Sequence, residues 1–472
     1  MSLLQTIRFS VEACRLGALQ HRNPRSIESI GRRRLRRLVK YAVQRSEFYR
    51  HKFRDVDLAR LDLRKLPSTR KLEIAEDFDR VVTDPLVRRA DIERFVSDSS
   101  NLGRWFLDRY AVSRTSGSDG PPLPIVQDRR ALEILFAMMG ARANAGRRPT
   151  PLEGVRKLLQ PSRVAIVASR RGFYPSGAAF EFMPELMGPY ARVLRLESQQ
   201  VDLFQRLGDF QPNVLVAYAS VLDALSVFAG RMKLKSLRQI GNSSEQLTPG
   251  ARRRIELAFN APVLDHYGIG ECLFLSEGCP TDGGAHVNSD WAILEVIDEL
   301  GQPVPDGQAG HKVLVTNLAN FVQPFIRYEV DDQVTMATGP CRCGSRLPRI
   351  ARIDGRLTEA FWIDSRGGRR LVPGVIFHTA ADAVDDIAAW QAVQLERNQV
   401  ELRIAIRAGA PLDLGRTRNL LHKALFTSGL PEELNVEIKV VPSLSADART
   451  GKLRRMVSQI GPPRSQLDWT AR

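Results

Sequence analysis

Between residues 163 and 268 the chain reads RVAIVAS (163–169), ARVLRL (191–196), NVLVAY (213–218), LRQIGNS (237–243) and APVLDHYG (261–268), short apolar runs at regular intervals. Helical patterns at 178–187, 201–210, 220–232 and 248–259 separate them. The last opens on Thr248-Pro249, a capping hydroxyl followed by a residue whose missing N–H the first helical turn does not need. Strands alternating with helices of this length predict a parallel α/β sheet. Such sheets bind ligands in the loops beyond the carboxyl ends of their strands, so the residues just after each run are the first candidates for chemistry.

On the C-terminal side the rhythm changes. WAILEVID, KVLVTNL and FIRYEVDDQVTM, between 290 and 336, are closely spaced and joined by Gly, Pro and Asn turns, which predicts a β-rich subdomain. After about 357 a new unit begins, with strands near 360, 391–407 and 433–441 and helices near 375–385 and 415–426, the pattern of a small α+β domain. The predicted division is a large domain over 1–356 and a small one over 357–472.

The chain has 472 residues, 43% hydrophobic and 26% charged, which excludes disorder as its main theme. No uninterrupted apolar run reaches about 18 residues, so no membrane span is expected. Arg8, Glu12 and Arg15 interrupt the N-terminal stretch where a secretory leader needs apolar residues, and a cytoplasmic location is predicted. Of the net charge of +16, residues 1–60 contribute 15 basic against 5 acidic side chains, centred on GRRRLRRLVK (31–40). Leu35, Leu38, Val39 and Ala42 recur there at helical spacing, which predicts an amphipathic helix within a basic helical region at about 27–53. Its Arg face is either solvated or docked on an anionic surface. No recognition motif or aromatic-interleaved basic stripe accompanies it, so no specific nucleic-acid partner is expected.

Five segments offer chemistry. SRTSGSDGPP (113–122) is a hydroxyl- and glycine-rich turn after a predicted strand; it can wrap phosphates with backbone N–H groups and hydroxyls, or be an ordinary loop. DHYGIGE (265–271) ends a strand with an aromatic face at Tyr267 beside Gly268 and a carboxylate at Glu271 suited to Mg²⁺. In RYEVDD (327–332), Asp332 can accept hydrogen bonds from ribose hydroxyls. RIDGR (352–356) stands at the inferred boundary, and Thr450-Gly-Lys452 carries one of only 11 lysines in an Arg-dominated chain.

In this order these segments resemble the adenylate-forming superfamily of acyl-CoA synthetases and ligases. They are most like its phenylacetate-CoA ligase and capsule-biosynthesis-associated branch, and the resemblance covers roughly 30–460. TSGSDGPP is similar to the TSGTTGKP phosphate loop, SSEQL (243–247) to the GEPL adenine-side segment, and HYGIGE to the YGxxE motif. FIRYEVDD is similar to IRYRTGD, RIDGR to RIxGR, and Gly451-Lys452 to the GK of the adenylation lysine. The resemblance implies ATP binding by Thr115, Ser116, Gly117, Ser118, Gly120, Ser243, Ser244, Glu245, Tyr267, Gly268 and Asp332. It implies catalytic roles for Lys452, Glu271 (through Mg²⁺) and Arg356, and a small C-terminal domain that moves. Phe173, Tyr174 and Tyr218 fall where the family's acyl-side wall lies, as pocket lining or as ordinary core aromatics. The activity implied is ATP-dependent activation of a carboxylate, aryl or acyl, to an acyl-adenylate with pyrophosphate release, then transfer to CoA. The alternative is transfer to an amine or carrier, or adenylylation of a coenzyme, in a polysaccharide or natural-product pathway. A homodimer is among the assemblies allowed. The chain departs from the family pattern at Pro121, at Val330-Asp331 and at Thr358-Glu359.

Cys279, His286, Cys341 and Cys343 supply three thiolates and one imidazole, the ligand set of a closed tetrahedral zinc site, from either side of the predicted β subdomain. The alternatives are plain reduced cysteines or a redox role. Cys14 and Cys272 read as small hydrophobes.

Overall fold

The computed structural model describes residues 3–115, 122–142, 160–168, 173–198, 200–356, 360–366, 368–407, 413–445 and 453–460. It has two compact units, Met1–Leu247 with Arg254–Ile353, and Thr248–Arg253 with Asp354–Arg472.

In the large unit β1 (Tyr110–Arg114) and β2 (Pro124–Asp128) form an antiparallel pair. Leu123 donates to the Thr115 hydroxyl at 2.9 Å and Thr115 donates to the Leu123 carbonyl at 3.0 Å, closing the stem of the intervening loop. Next comes the parallel sheet of β3 (Ser162–Val167), β4 (Ala191–Leu196), β5 (Val214–Ala217), β6 (Gln239–Ser243) and β7 (Val263–His266), in the order β4-β3-β5-β6-β7. The chain turns one way from β3 to β4 and the other way to β5, so the topological switch point lies between β3 and β5. The strands match the predicted runs, but two helical patterns divide. The 178–187 pattern is two helices, Pro175–Glu181 and Met183–Met187, because Pro184 cannot supply the N–H that a continuous helix needs. The 220–232 pattern breaks likewise into Ala219–Ser226 and Ala229–Met232.

The basic region folds as α2 (Pro24–Arg45), preceded by α1 (Leu3–Leu19). Asn23 caps α2 with Pro24 in its first turn, and Ile27, Leu35, Leu38, Val39 and Ala42 are buried. Each buried Leu, Ile or Val contributes roughly 1.5–3 kcal/mol. Ser46 ends α2 and caps the next short helix, Glu47–Lys52, so the region is two helices rather than one. A helix over Arg129–Arg142, α3, packs on α1 and ends in a fully buried guanidinium. Arg142 donates to Asn288 at 2.5 Å and pairs with Asp290 at 2.9 Å. Asp290 also takes Arg34 of α2, whose guanidinium lies 3.4 Å over the Trp291 ring and is pushed down to about 10 by burial against the pull of Asp290. Breaking such a buried network costs about 3–5 kcal/mol.

The predicted β-rich part consists of β8 (Ser276–Gly278), β9 (Ala285–Val287), β10 (Ala292–Ile297), β11 (Lys312–Asn317), β12 (Tyr328–Val330), β13 (Asp332–Met336) and β14 (Arg349–Arg356). They form two sheets, β10-β11-β12 and β13-β14-β9-β8.

The second unit pairs β15 (Ala360–Ser365) with β16 (Gly368–Pro373), and β17 (Ile387–Glu396), β18 (Gln399–Ile406), β19 (Asn435–Val440) and β20 (Met456–Ser458) form a sheet ordered β19-β18-β17-β20. The predicted strand at 391–407 is in fact a hairpin. Arg397-Asn398 turns the chain, and Asn398 bonds Asp364 on the neighbouring hairpin. Helices Val375–Asp382 and Leu414–Thr427 cover a separate core of Phe361, Phe377, Trp390, Leu402 and Leu421. Among the described residues no helix is long and apolar enough to cross a membrane.

Candidate active site and metal centre

The carboxyl ends of adjacent parallel strands bring the candidates together. β6 runs into Ser243-Ser244-Glu245, β7 into Tyr267-Gly268 and Glu271, β5 into Tyr218, and the chain returns after β3 at Phe173-Tyr174. Asn242, fully buried in β6, donates to Asp265 of β7 at 2.6 Å and to the Glu245 carbonyl at 2.8 Å, tying the two loops to one another. Ser244 holds a left-handed φ of 68°, which turns the chain sharply at the strand end. Glu245 accepts a bond from the Ser220 amide at 2.9 Å, at the start of the helix after Tyr218. The phenol of Tyr218 is pushed up to about 12 by burial, with the Glu245 charge adding to the effect, so it stays protonated as a donor.

The Tyr267 backbone is clamped to Ser276, whose hydroxyl accepts from its N–H at 3.1 Å and donates to its carbonyl at 2.9 Å. Gly268 is required next to it, since a Cβ there would stand 2.7 Å from the Leu273 carbonyl oxygen. So fixed, the Tyr267 hydroxyl donates to Asp332 Oδ2 at 2.7 Å, and the Tyr328 hydroxyl donates to Glu271 Oε1 at 2.7 Å. Asn317 Nδ2 holds the Glu271 carbonyl at 2.7 Å. Both carboxylates are buried, at 6% and 4% exposure, and each stands next to a phenolic donor. A carboxylate has about four acceptor positions, so each can take a further hydroxyl or a hard cation.

A second cluster lies at the far edge of the β9 sheet. The Sγ atoms of Cys279, Cys341 and Cys343 and a ring nitrogen of His286 all lie within 4.8 Å of one another. Cys279 and Cys341 sulfurs are 3.5 Å apart, and Cys343 Sγ is 3.2 Å from His286 Nε2. The edges of a tetrahedron of zinc–sulfur and zinc–nitrogen bonds are about 3.5–3.8 Å. His286 Nδ1 faces the Leu347 carbonyl at 3.1 Å, which fixes that nitrogen as the protonated one and turns Nε2 toward the sulfurs. Amides of Asp282 and Ser345 donate to Cys279 and Cys343, and an Asp282–Arg342 ion pair joins the two loops. Cys272 stands apart from this group; burial first, then Glu271, pushes its thiol well up, and it packs as an apolar residue.

No protein-family model matches the chain. It is 25% identical over 354 residues to the phenylacetate-coenzyme A ligase of Thermus thermophilus, covering 71% of both chains. The protein CapK of Staphylococcus aureus is 24% identical over 263 residues, 54% of this chain and 55% of that protein. The fold is similar to a 2-hydroxyisobutyryl-CoA ligase in the postadenylation state in complex with R3-HIB-AMP, with a TM-score of 0.70 at 20% identity, covering 92% of this chain and 89% of that one. In sequence the chain is similar to phenylacetate-coenzyme A ligases, and in fold to an acyl-CoA ligase.

The described residues unite Ser243, Ser244, Glu245, Tyr267, Gly268, Glu271 and Asp332 in one region, and place Thr115 at the stem of the 116–121 loop. Tyr174, Ser176 and Glu245 surround the Tyr218 phenol. Phe173 packs into the main core with its ring 6.1 Å from Phe95. Ser116, Gly117, Ser118, Gly120, Pro121, Thr358, Glu359 and Lys452 lie outside the described residues, as does the Arg356 side chain, although its backbone is in β14. Sequence reasoning missed Tyr328, Asn317 and Asn242. Tyr328 stands inside FIRYEVDD, where a buried-facing tyrosine between charges is a visible signal; Asn317 and Asn242 close apolar strands and carry only the mark of an amide at a strand end.

Proposed function

We propose that this chain activates a carboxylate with MgATP and transfers the acyl group to CoA. The observation that carries the reading is the pair of buried carboxylates, Glu271 and Asp332, each oriented by a phenol beside the carboxyl ends of β6 and β7. In the first step a carboxylate oxygen attacks the α-phosphorus of ATP, and the bond to the bridging oxygen breaks to release pyrophosphate. In the second the CoA thiolate attacks the acyl carbonyl and AMP leaves. Positioning and cations carry most of the first step.

Asp332 holds the ribose hydroxyls, Tyr267 offers its ring to the adenine, and the Ser243–Glu245 turn borders the base. The 115–120 loop receives the leaving pyrophosphate. Glu271 supplies a hard, oriented oxygen that fits Mg²⁺, whose charge offsets that of the phosphates. Lys452 bridges the substrate carboxylate and α-phosphate, and Arg356 lies in the element preceding the small domain. Tyr174 and Tyr218, at the switch point of the sheet, border the acyl group. Cys279, His286, Cys341 and Cys343 fit a structural zinc ion by ligand type and spacing, with no position left over for substrate.

Pyrophosphate release from MgATP, measured against aryl, fatty and hydroxy acids with and without CoA, tests the reading. CoA-dependent turnover with one acid class is expected, whereas release unaffected by CoA assigns another acceptor. Lys452→Ala should abolish pyrophosphate release and spare thioester formation from a supplied acyl-adenylate; equal loss of both steps removes the lysine from this role.

A further inference from the structure

The N-terminal helices carry two features that the ligase reaction does not use. The first is a cleft of about 430 Å³ at the junction of α1 and α2, bordered by Arg15, Arg22, Arg25 and Arg33 with Ser26 and Ser29. All four arginines are exposed, and none has an ion-pair partner among the described residues. Residues 15–40 hold nine basic side chains against one acidic one, Glu28, which is already paired with Arg32. A merely solvated helix face interleaves acids with its bases; this one accumulates repulsion. Arg25 and Ser26, in the first turn of α2 where the helix dipole leaves partial positive charge, border the same cleft.

The second feature is apolar. On α1, Ile7 and Val11 are 51% and 62% exposed, and Cys14 and Ala18 continue the same line at i+7 and i+11. At 100° per residue these four form one stripe, opposite the buried Phe9 and Leu16, and Arg15 lies on its flank. An apolar stripe bordered by unpaired arginines is the pattern of a helix that lies in a lipid interface.

We propose that α1 and the start of α2 dock this protein peripherally on an anionic phospholipid surface. The stripe enters the acyl boundary, and the arginine cleft takes headgroup phosphates. Charge decides among occupants. A second copy meeting the stripe brings two clusters of excess positive charge together, and a soluble polyphosphate leaves Ile7 and Val11 in water. A nucleic acid finds no exposed aromatic ring among the bases of the cleft.

Flotation of the full chain with vesicles tests this. Vesicles of phosphatidylcholine containing phosphatidylglycerol should carry the protein, pure phosphatidylcholine should not, and salt near 1 M should release it. Arg22→Glu with Arg25→Glu should weaken partitioning on the order of a thousand-fold, and Arg33→Gln alone by about fivefold. Both should retain the thermal midpoint and the ligase rate; the milder Arg33→Gln keeps the test valid should the double variant fold poorly. Ile7→Ser with Val11→Ser should lose the vesicles yet keep retention of inorganic polyphosphate. Binding to both vesicle types alike, or to neither, overturns the proposal. So does vesicle binding indifferent to the stripe variant, or a stripe variant whose only effect is to turn a dimer into a monomer.

Discussion

Two phenols decide how the carboxylates of the site present their oxygens. Tyr328 lends its proton to Glu271, and Tyr267 lends its own to Asp332, both at 2.7 Å and away from water. Removing one donor leaves a buried charge with a missing partner, which costs about 1–3 kcal/mol. Tyr328→Phe should therefore lower pyrophosphate release by roughly 10- to 100-fold with a raised MgATP requirement, while the CoA step from supplied acyl-adenylate keeps its rate; a titration of turnover against Mg²⁺ checks it. The carboxylates themselves were singled out in the sequence by residue type and local spacing in HYGIGE and RYEVDD. Their partners were not. Tyr328 meets Glu271 across 57 residues and Asn317 meets it across 46, distances that only sheet pairing closes.

At the scale of elements, the succession of apolar runs made the parallel sheet readable, since its inner strands β3, β5 and β6 carry runs of consecutive buried residues and need no alternation of their own. Breaks inside apolar stretches were less visible. Arg397-Asn398 turns a long β pattern into a hairpin with neither glycine nor proline to announce it. The cysteine pairs, by contrast, were legible from type and spacing, and the sheet supplies what spacing cannot. Pairing of Arg349 with His286 brings the 341–348 loop against β9, so the two halves of the ligand set meet. One zinc ion per chain is expected in the purified protein by elemental analysis. Chelation, or Cys343→Ser, should lower the thermal midpoint by about 5–10 °C, because binding at a hundred times the dissociation constant adds about 2.7 kcal/mol to the folded state. Protein that is purified without zinc and is indifferent to chelator contradicts a metal staple.

On the scale of the molecule, the division of labour follows from two cores that share no residue. The large unit buries Leu38, Phe136, Phe274 and Phe325 and carries Tyr267, Glu271 and Asp332; the smaller buries Phe377, Leu402 and Leu421. The change of rhythm near 357 was readable as a change of architecture, but the inclusion of Thr248–Arg253 in the smaller unit was not, because that segment is distant in sequence from the rest of it. Units with separate cores melt separately when few interactions couple them. Calorimetry should resolve two transitions. Leu402→Ala, at a fully buried position, removes about 2–5 kcal/mol and should lower one of them by on the order of 10 °C, leaving the other in place. MgATP should raise the transition that Leu402→Ala leaves alone, since the groups proposed to hold the nucleotide belong to the large unit. A single transition that both perturbations move together would mean that the units fold as one, and any rotation of the small domain during turnover would then have to break contacts worth as much as a core.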